Sequence, residues 1–252
     1  MTDKDGLLAK RFIELAEKSY GSGIYVFTDF LGLAEQSVLE SVKREISHVG
    51  RTEFGGAVGA ERVMVRFGSE EELGYDLPFP ISIILVKPAS PKFSEKLTHR
   101  DYLGTVLGLG IERRCVGDII LREGVGYIFV KEDIAEFVAE NLVRIRNTEV
   151  RASITDALPE GELYRTEPRR IQANGERVDA LIAKVFSLSR EESSRLFTKG
   201  LVFVSGREMT NTSYIPKAGE VISVRGYGRM IYRGCESLSR KGKMNILVEL
   251  YV

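Results

Sequence analysis

The sequence predicts an α+β protein, and three observations carry that expectation. Helix-period and strand-like apolar patterns alternate along all 252 residues instead of segregating into blocks. Between residues 76 and 153 they follow the order strand, helix, strand, strand, helix, strand, the split arrangement of ferredoxin-like and RRM-like domains. Charge is uneven although 36 Lys+Arg balance 36 Asp+Glu overall. Residues 1–75 are net −4, residues 76–165 net −2, and residues 168–252, with 15 basic and 8 acidic side chains, net +7. The boundaries drawn from these shifts are 1–75 for an N-terminal α+β region, 76–163 for an RRM-like domain and 164–252 for a basic domain.

The N-terminal region opens with Leu7, Leu8, Phe12, Ile13 and Leu15-Ala16 at helical spacing, ended by Tyr20-Gly21-Ser22-Gly23. Ile24–Phe27 is a short strand. Val38, Leu39, Val42 and Ile46 mark a helix over Leu33–Ser47. Strands His48–Phe54 and Arg62–Phe67 follow, joined by the glycine-rich segment Gly55–Gly59. A phosphate-cradling loop needs a strand before it and a helix after it. Here a strand follows, and no Gly-Lys-Ser/Thr is present. A nucleotide P-loop is excluded on those grounds.

In the centre, Ile81–Lys87 is an apolar strand. Thr98 N-caps a helix, with Asp101 completing a Thr-x-x-Asp box, and Gly108-Leu109-Gly110 stops it. Val116–Leu121 and Val125–Val130 form a hairpin around Arg122-Glu123-Gly124. Ile134, Phe137, Val138 and Leu142 share a helix face, and Thr148–Ile154 is the last strand. Residues 155–168, with two prolines, a glycine and four acids, are expected to be a linker. Beyond it, Val178, Leu181, Ile182 and Val185-Phe186 mark one helix. Ser189, with Glu192, caps the next, which Gly200 stops. Leu201–Ser205, Val221–Arg225 and Met244–Leu250 are strands. No internal repeat is present.

Several function classes fall away. No apolar run approaches the ~18–20 residues that cross a bilayer, so no membrane partner is expected and the chain is placed in the cytoplasm. Cys115 and Cys235 lack metal-ligand spacing, and with only His48 and His99 no metal site is expected. His99-Arg100-Asp101 resembles a kinase catalytic loop, but Val106 stands where that loop needs Asn. Gly104-x-x-x-Gly108-x-Gly110 ends a helix, whereas a dinucleotide loop links a strand to one. Arg177-Val178-Asp179 echoes pseudouridine synthases without a catalytic barrel around it. No catalytic residue and no cofactor is expected. An RNA-modifying enzyme and a cell-division adaptor stay open as alternatives.

The basic domain carries the strongest signal. Arg177-x-Asp179, Ser189-Arg190, Lys199-Gly200-Leu201-Val202, Val204-Ser205-Gly206, Lys217-Ala218-Gly219-Glu220 and Val224–Arg229 occur in order. This series resembles the alpha-L motif, the RNA-binding domain of ribosomal small-subunit protein S-four and its relatives. Arg177 and Arg190 each stand at a helix start, where unpaired N–H groups favour phosphate. Arg195 and Lys199 extend the same face, where a solvated role and an RNA contact fit equally. Ser189 fits a plain N-cap as well as an RNA contact, and Asp179 fits a partner for Arg177. Arg225 and Arg229 complete the RNA-binding set. In the centre, Glu123–Val130 keeps the glycines of the RRM signature and Tyr127, a candidate base-stacking platform, but lacks its cation and its other aromatic. Phe129 shares the Tyr127 face and fits the core equally well.

Over nearly the whole chain, further motifs look like the bacterial YlmH family. They are Thr28-Asp29-Phe30-Leu31, Phe54-Gly55-Gly56, Gly59-Ala60-Glu61-Arg62, Leu97–Gly104, Gly108-Leu109-Gly110-Ile111-x-Arg113 and Val116-Gly117-Asp118-Ile119. Leu31-Gly32-Leu33 lacks that family's usual proline-arginine, and Ser205-Gly206 stands where Asn-Gly is common. The resemblance implies an alpha-L tail and a non-catalytic protein bound to ribosomal RNA of the large subunit. There the family acts on subunits obstructed by peptidyl-tRNA, in ribosome-associated quality control, with a link to cell division. A monomer is expected.

Overall fold

Helix α1 (Asp3–Ser22) turns Ala9, Phe12, Leu15, Ala16 and Ser19 to one buried face, as the spacing of its apolar residues requires. The computed structural model describes residues 3–90, 95–158, 166–239 and 242–251, and the chain divides into two units, Met1–Leu163 and Tyr164–Val252. In the first unit α1 packs with α2 (Leu33–Ser41) against a sheet of β1 (Val26–Phe27), β2 (Arg51–Phe54) and β3 (Met64–Phe67), with β3 in the middle. Helix α2 is shorter than the expected Leu33–Ser47. Val42, Ile46 and Val49 stay buried, but in a series of turns. Consequently β2 begins at Arg51 instead of His48. A one-turn helix, α3 (Glu70–Leu73), capped by Ser69, follows β3.

The same unit contains β4 (Ile81–Pro88), α4 (His99–Gly108), β5 (Val116–Arg122), β6 (Val125–Lys131), α5 (Ala135–Asn141), β7 (Arg144–Ile145) and β8 (Thr148–Thr155). Their sheet has the antiparallel order β5-β6-β4-β8-β7. Without the short β7 this is the strand order of a ferredoxin-like sheet. Glu123 (φ 49°) and Gly124 (φ 78°) make a hairpin turn with both central residues left-handed, as the right-handed twist of the strands favours. The Asp101 carboxylate accepts from the Thr98 N–H (2.8 Å) and hydroxyl (2.6 Å), which starts α4 and holds that carboxyl below its usual range. Ile84, Val86, Ile128 and Val130 face Tyr102, Val106 and Val138 in the core.

The opposite face of this sheet is partly covered by the N-terminal region. A Cβ on Gly56 would lie 2.3 Å from Cδ1 of Phe129, and one on Gly117 would lie 2.7 Å from Cε1 of Phe30. The Asp118 carboxylate accepts from the backbone N–H of Glu61 (2.7 Å) and Arg62 (3.2 Å). Arg62 in turn donates to the carbonyls of Val116 (3.0 Å) and Phe30 (2.8 Å). Burial pushes Arg113 down to about 10, still charged at neutral pH, and its guanidinium donates to the carbonyls of Val116 and Gly117. These motifs therefore join the two halves of the first unit.

The second unit contains β9 (Thr166–Ala173), α6 (Val178–Val185), α7 (Arg190–Thr198), β10 (Val202–Val204), β11 (Arg207–Glu208), β12 (Val221–Val224), β13 (Gly228–Leu238) and β14 (Met244–Tyr251). Its antiparallel sheet runs β11-β10-β12-β13-β14-β9, and both helices share one core with Ile222, Val224, Met230, Tyr232, Ile246 and Val248. The expected linker needs correction at both ends. Thr155 belongs to β8 and Thr166–Pro168 to β9, while 159–165 and the 163/164 boundary lie outside the described residues. Strand β13, the longest of the sheet, and β9 were not expected.

Candidate nucleic-acid interface

Two helix starts meet at one cleft. Arg177 is the N-cap residue of α6, and Ser189 is the N-cap of α7, with Arg190 next. The cap of α7 is reciprocal. The Glu192 N–H donates to Ser189 Oγ (3.2 Å) and the Ser189 N–H to Glu192 Oε2 (2.8 Å). That backbone donor, then the Ser189 hydroxyl, holds the Glu192 carboxyl below its usual range. Ser193, fully buried, donates from Oγ to the Asp179 carbonyl (2.8 Å) and so ties α7 to α6. The result is a cleft of about 260 Å³ lined by Asn174, Gly175, Arg177, Asp179, Ala180 and Arg190.

Arg177 grips Asp179 with two donors, Nε to Oδ1 (3.1 Å) and Nη2 to Oδ2 (2.8 Å), while its side chain stays 52% exposed. Asp179 therefore orients this arginine. The start of α6, however, is not the open anion site that its position suggests. The Val178 N–H donates to the Tyr214 carbonyl (2.8 Å), Asp179 N–H to Thr212 (3.4 Å), and Ala180 N–H to Asp179 Oδ1 (2.8 Å). At that helix start any anion would be held by the arginine side chain, with the backbone donors already engaged. Tyr214 is itself fixed, its hydroxyl donating to Glu220 (2.9 Å), and burial ahead of that carboxylate pushes the phenol up to about 12.

Arg190 also borders an adjoining cleft of about 420 Å³, where Lys184, Ser187, Leu188 and Lys243 take part in the lining. The sequence reading missed Lys184 and Lys243. Lys184 was legible, lying seven residues, or two helical turns, after Arg177. Lys243 was not, because it arrives from the β13–β14 turn, distant in sequence. Exposed Arg195 pairs with exposed Glu191 one turn back on α7, an arrangement worth little to stability. Lys199 caps the far end of α7, about 13 Å along the axis from Arg190. Neither lines the two clefts.

Arg225 and Arg229 lie elsewhere. In the β10–β12–β13 register they alternate with core residues Val224 and Met230, so they occupy the sheet face turned away from α6 and α7. The structure thus divides the expected set into a helix-side group and a sheet-side group. Tyr127 is half-buried between Leu85 and Ile120 on its sheet, and Phe129, two residues on, is fully buried. Phe129 is therefore core, which leaves one aromatic of that strand at the surface.

Among the described residues no cluster of His, Cys, Asp or Glu is arranged to hold a metal, and no helix is long and apolar enough to cross a membrane. Residues 78–157 match the family model described as "Putative RNA-binding domain in YlmH". The "Ribosome-associated protein quality control protein P2" of Bacillus subtilis (strain 168) is 30% identical over 226 residues, covering 88% of this chain and 86% of that protein. The solved "Cell division protein ylmH from Streptococcus pneumoniae" is 23% identical, with a TM-score of 0.49 over 62% of this chain and 93% of its own. With a relative this similar along both lengths, and a central domain matching the family's own model, the chain belongs to the YlmH family of RNA-binding proteins.

Proposed function

We propose that this chain is a non-catalytic cytoplasmic protein that binds ribosomal RNA of the large subunit, in the quality control of subunits obstructed by peptidyl-tRNA. One observation supports it above the others. Arg177 and Arg190, from two helices, border one cleft, and Lys184 and Lys243 continue the cationic surface beside it. Planar guanidiniums and flexible ammoniums around a concave surface suit a phosphate backbone. In this reading 164–252 is an alpha-L domain and the main RNA contact, 76–163 an RRM-like domain and 1–75 the region docked on it. The relative's name, which places it on the ribosome, agrees with this assignment.

Crosslinking the full chain to RNA in cells, pelleting ribosomes through sucrose and sequencing the crosslinked RNA tests the proposal. Crosslinks concentrated in large-subunit ribosomal RNA and in tRNA, and reduced in the Arg190→Ala chain, are expected. Crosslinks spread over messenger RNA, with nothing in the large-subunit fraction, would refute it.

A further inference from the structure

The sheet face turned away from α6 and α7 has no part in the cleft, yet it carries an ordered row of arginines and rings. Phe203 pairs with Ser223, and Ser223 with Arg229. Tyr251 lies one register step beyond the Met230–Leu250 pair, beside Arg229. The Arg225 guanidinium carbon sits 4.4 Å from the centroid of Phe203, and that of Arg229 sits 4.2 Å from the centroid of Tyr251. Two guanidiniums thus sit over two rings along one line across β10, β12, β13 and β14. Two further arginines of this sheet hold carboxylates. Arg233 grips Glu249 with two donors (2.9 and 2.8 Å), and Arg170 holds Glu236 (2.8 Å).

We propose that this face is a second RNA-contact surface, separate from the cleft, which takes unpaired nucleotides by stacking bases against Arg225 and Arg229. It rests on the reading of the chain as an RNA binder and adds a site and a ligand class to it. A guanidinium seated on a ring presents its other plane outward, and a nucleobase stacks on such a plane as it does on an aromatic. Prior seating on Phe203 and Tyr251 fixes each arginine's orientation, so less side-chain freedom is lost on binding. Off the row, at the β12–β13 tip, Tyr227 is 48% exposed with its ring 6.0 Å from Phe186, the C-cap of α6. Gly226 (φ 87°) gives that turn its shape. RNA is the occupant favoured by charge. The second unit carries the positive excess of the chain; Glu249, two residues before Tyr251, is already neutralised by Arg233, and Glu208 stands across from Phe203 at the β11 end of the row.

Two probes separate this site from the cleft, a fully paired RNA hairpin and a short single-stranded oligoadenylate carrying a fluorescent purine. Both are titrated against the full chain, the Arg190→Ala variant and the double variant Arg225→Lys/Arg229→Lys. The lysines preserve charge and remove the planar fork, so folding is retained while stacking is lost. The double variant is expected to lose about tenfold or more in oligoadenylate affinity, with the purine no longer quenched, and to change less than about twofold toward the hairpin. The Arg190→Ala variant is expected to show the opposite pattern. Unchanged oligoadenylate binding in the double variant, or no oligoadenylate binding by the unaltered chain, overturns the proposal even if the hairpin still depends on Arg190. Loss of hairpin binding in neither variant counts against the cleft and leaves the stacking face standing.

Discussion

Arg190 and Ser189 are neighbours with separable duties, and substitution tells them apart. Arg190 makes no part of the reciprocal cap, which Ser189 and Glu192 build between them. Arg190→Ala is therefore expected to weaken binding to structured ribosomal RNA by roughly 1.5–3 kcal/mol, the scale of a hydrogen bond to a charged group, with little change in melting temperature. Ser189→Ala is expected to cost about 1 kcal/mol of stability and to affect binding less. An Arg190→Ala chain that melts early would make this arginine structural. Glu192 adds a pH signature. Its folded carboxyl titrates below the ordinary value, so its contribution is present above the unfolded value and fades as pH falls through the folded one. Thermal melts of Glu192→Gln should show a deficit against the unaltered chain at pH 7 that shrinks as the pH is lowered through the folded carboxyl's titration. A deficit that persists in acid would mean the carboxylate charge is irrelevant to the cap.

Turns and strands show how far pattern reaches, and two of them yield predictions. Ser205 (φ 47°) and Gly206 (φ 75°) form the β10–β11 turn with both residues left-handed. Serine there holds a conformation that asparagine adopts more readily, so Ser205→Asn should raise stability by up to about 1 kcal/mol, read as a higher melting temperature. In the central sheet a Cβ on Gly126 would come 2.3 Å from Cε1 of the buried Tyr102. Gly126→Ala should therefore cost about 1–3 kcal/mol by overpacking, checked by denaturant unfolding. The β5–β6 hairpin was legible, despite a register shift between Val116 and Ile119, because two short apolar runs flank a turn with its own chemistry at Arg122-Glu123-Gly124. Strand β13 was not, because register shifts at Tyr232/Gly234 and Cys235/Ser237 break the alternation twice. Nor was β9, an edge strand that opens with Thr166-Glu167-Pro168-Arg169-Arg170 and buries only Ile171 and Ala173. In the cleft the Arg177–Asp179 pair was legible from adjacency. The carbonyls of Thr212 and Tyr214 that occupy the α6 start were not, since they come from a loop more than thirty residues away.

At the scale of the whole chain, two units of opposite charge predict a division of labour. The second unit has a core of its own, built from both helices and the inner face of its sheet, and needs no residue of the first to complete it. A fragment of residues 164–252 is therefore expected to fold alone, with a cooperative melt. It should also retain most of the affinity of the full chain for structured ribosomal RNA, because residues 168–252 hold the net +7 while residues 1–165 are net −6. Contact through a few cations releases a matching number of counterions, so raising salt from 50 to 200 mM should weaken binding by about tenfold to hundredfold for two to four phosphates neutralised. Removing Arg190 should flatten that dependence by nearly one phosphate, whereas removing Arg195, paired on the helix surface with Glu191, should barely alter it. Measuring affinity at four salt concentrations for the fragment and the two variants gives each slope directly. If residues 1–163 bind isolated ribosomal RNA as tightly as the full chain, with the same salt slope, charge does not decide which unit makes the contact. The surface to search would then be the central sheet, around Tyr127.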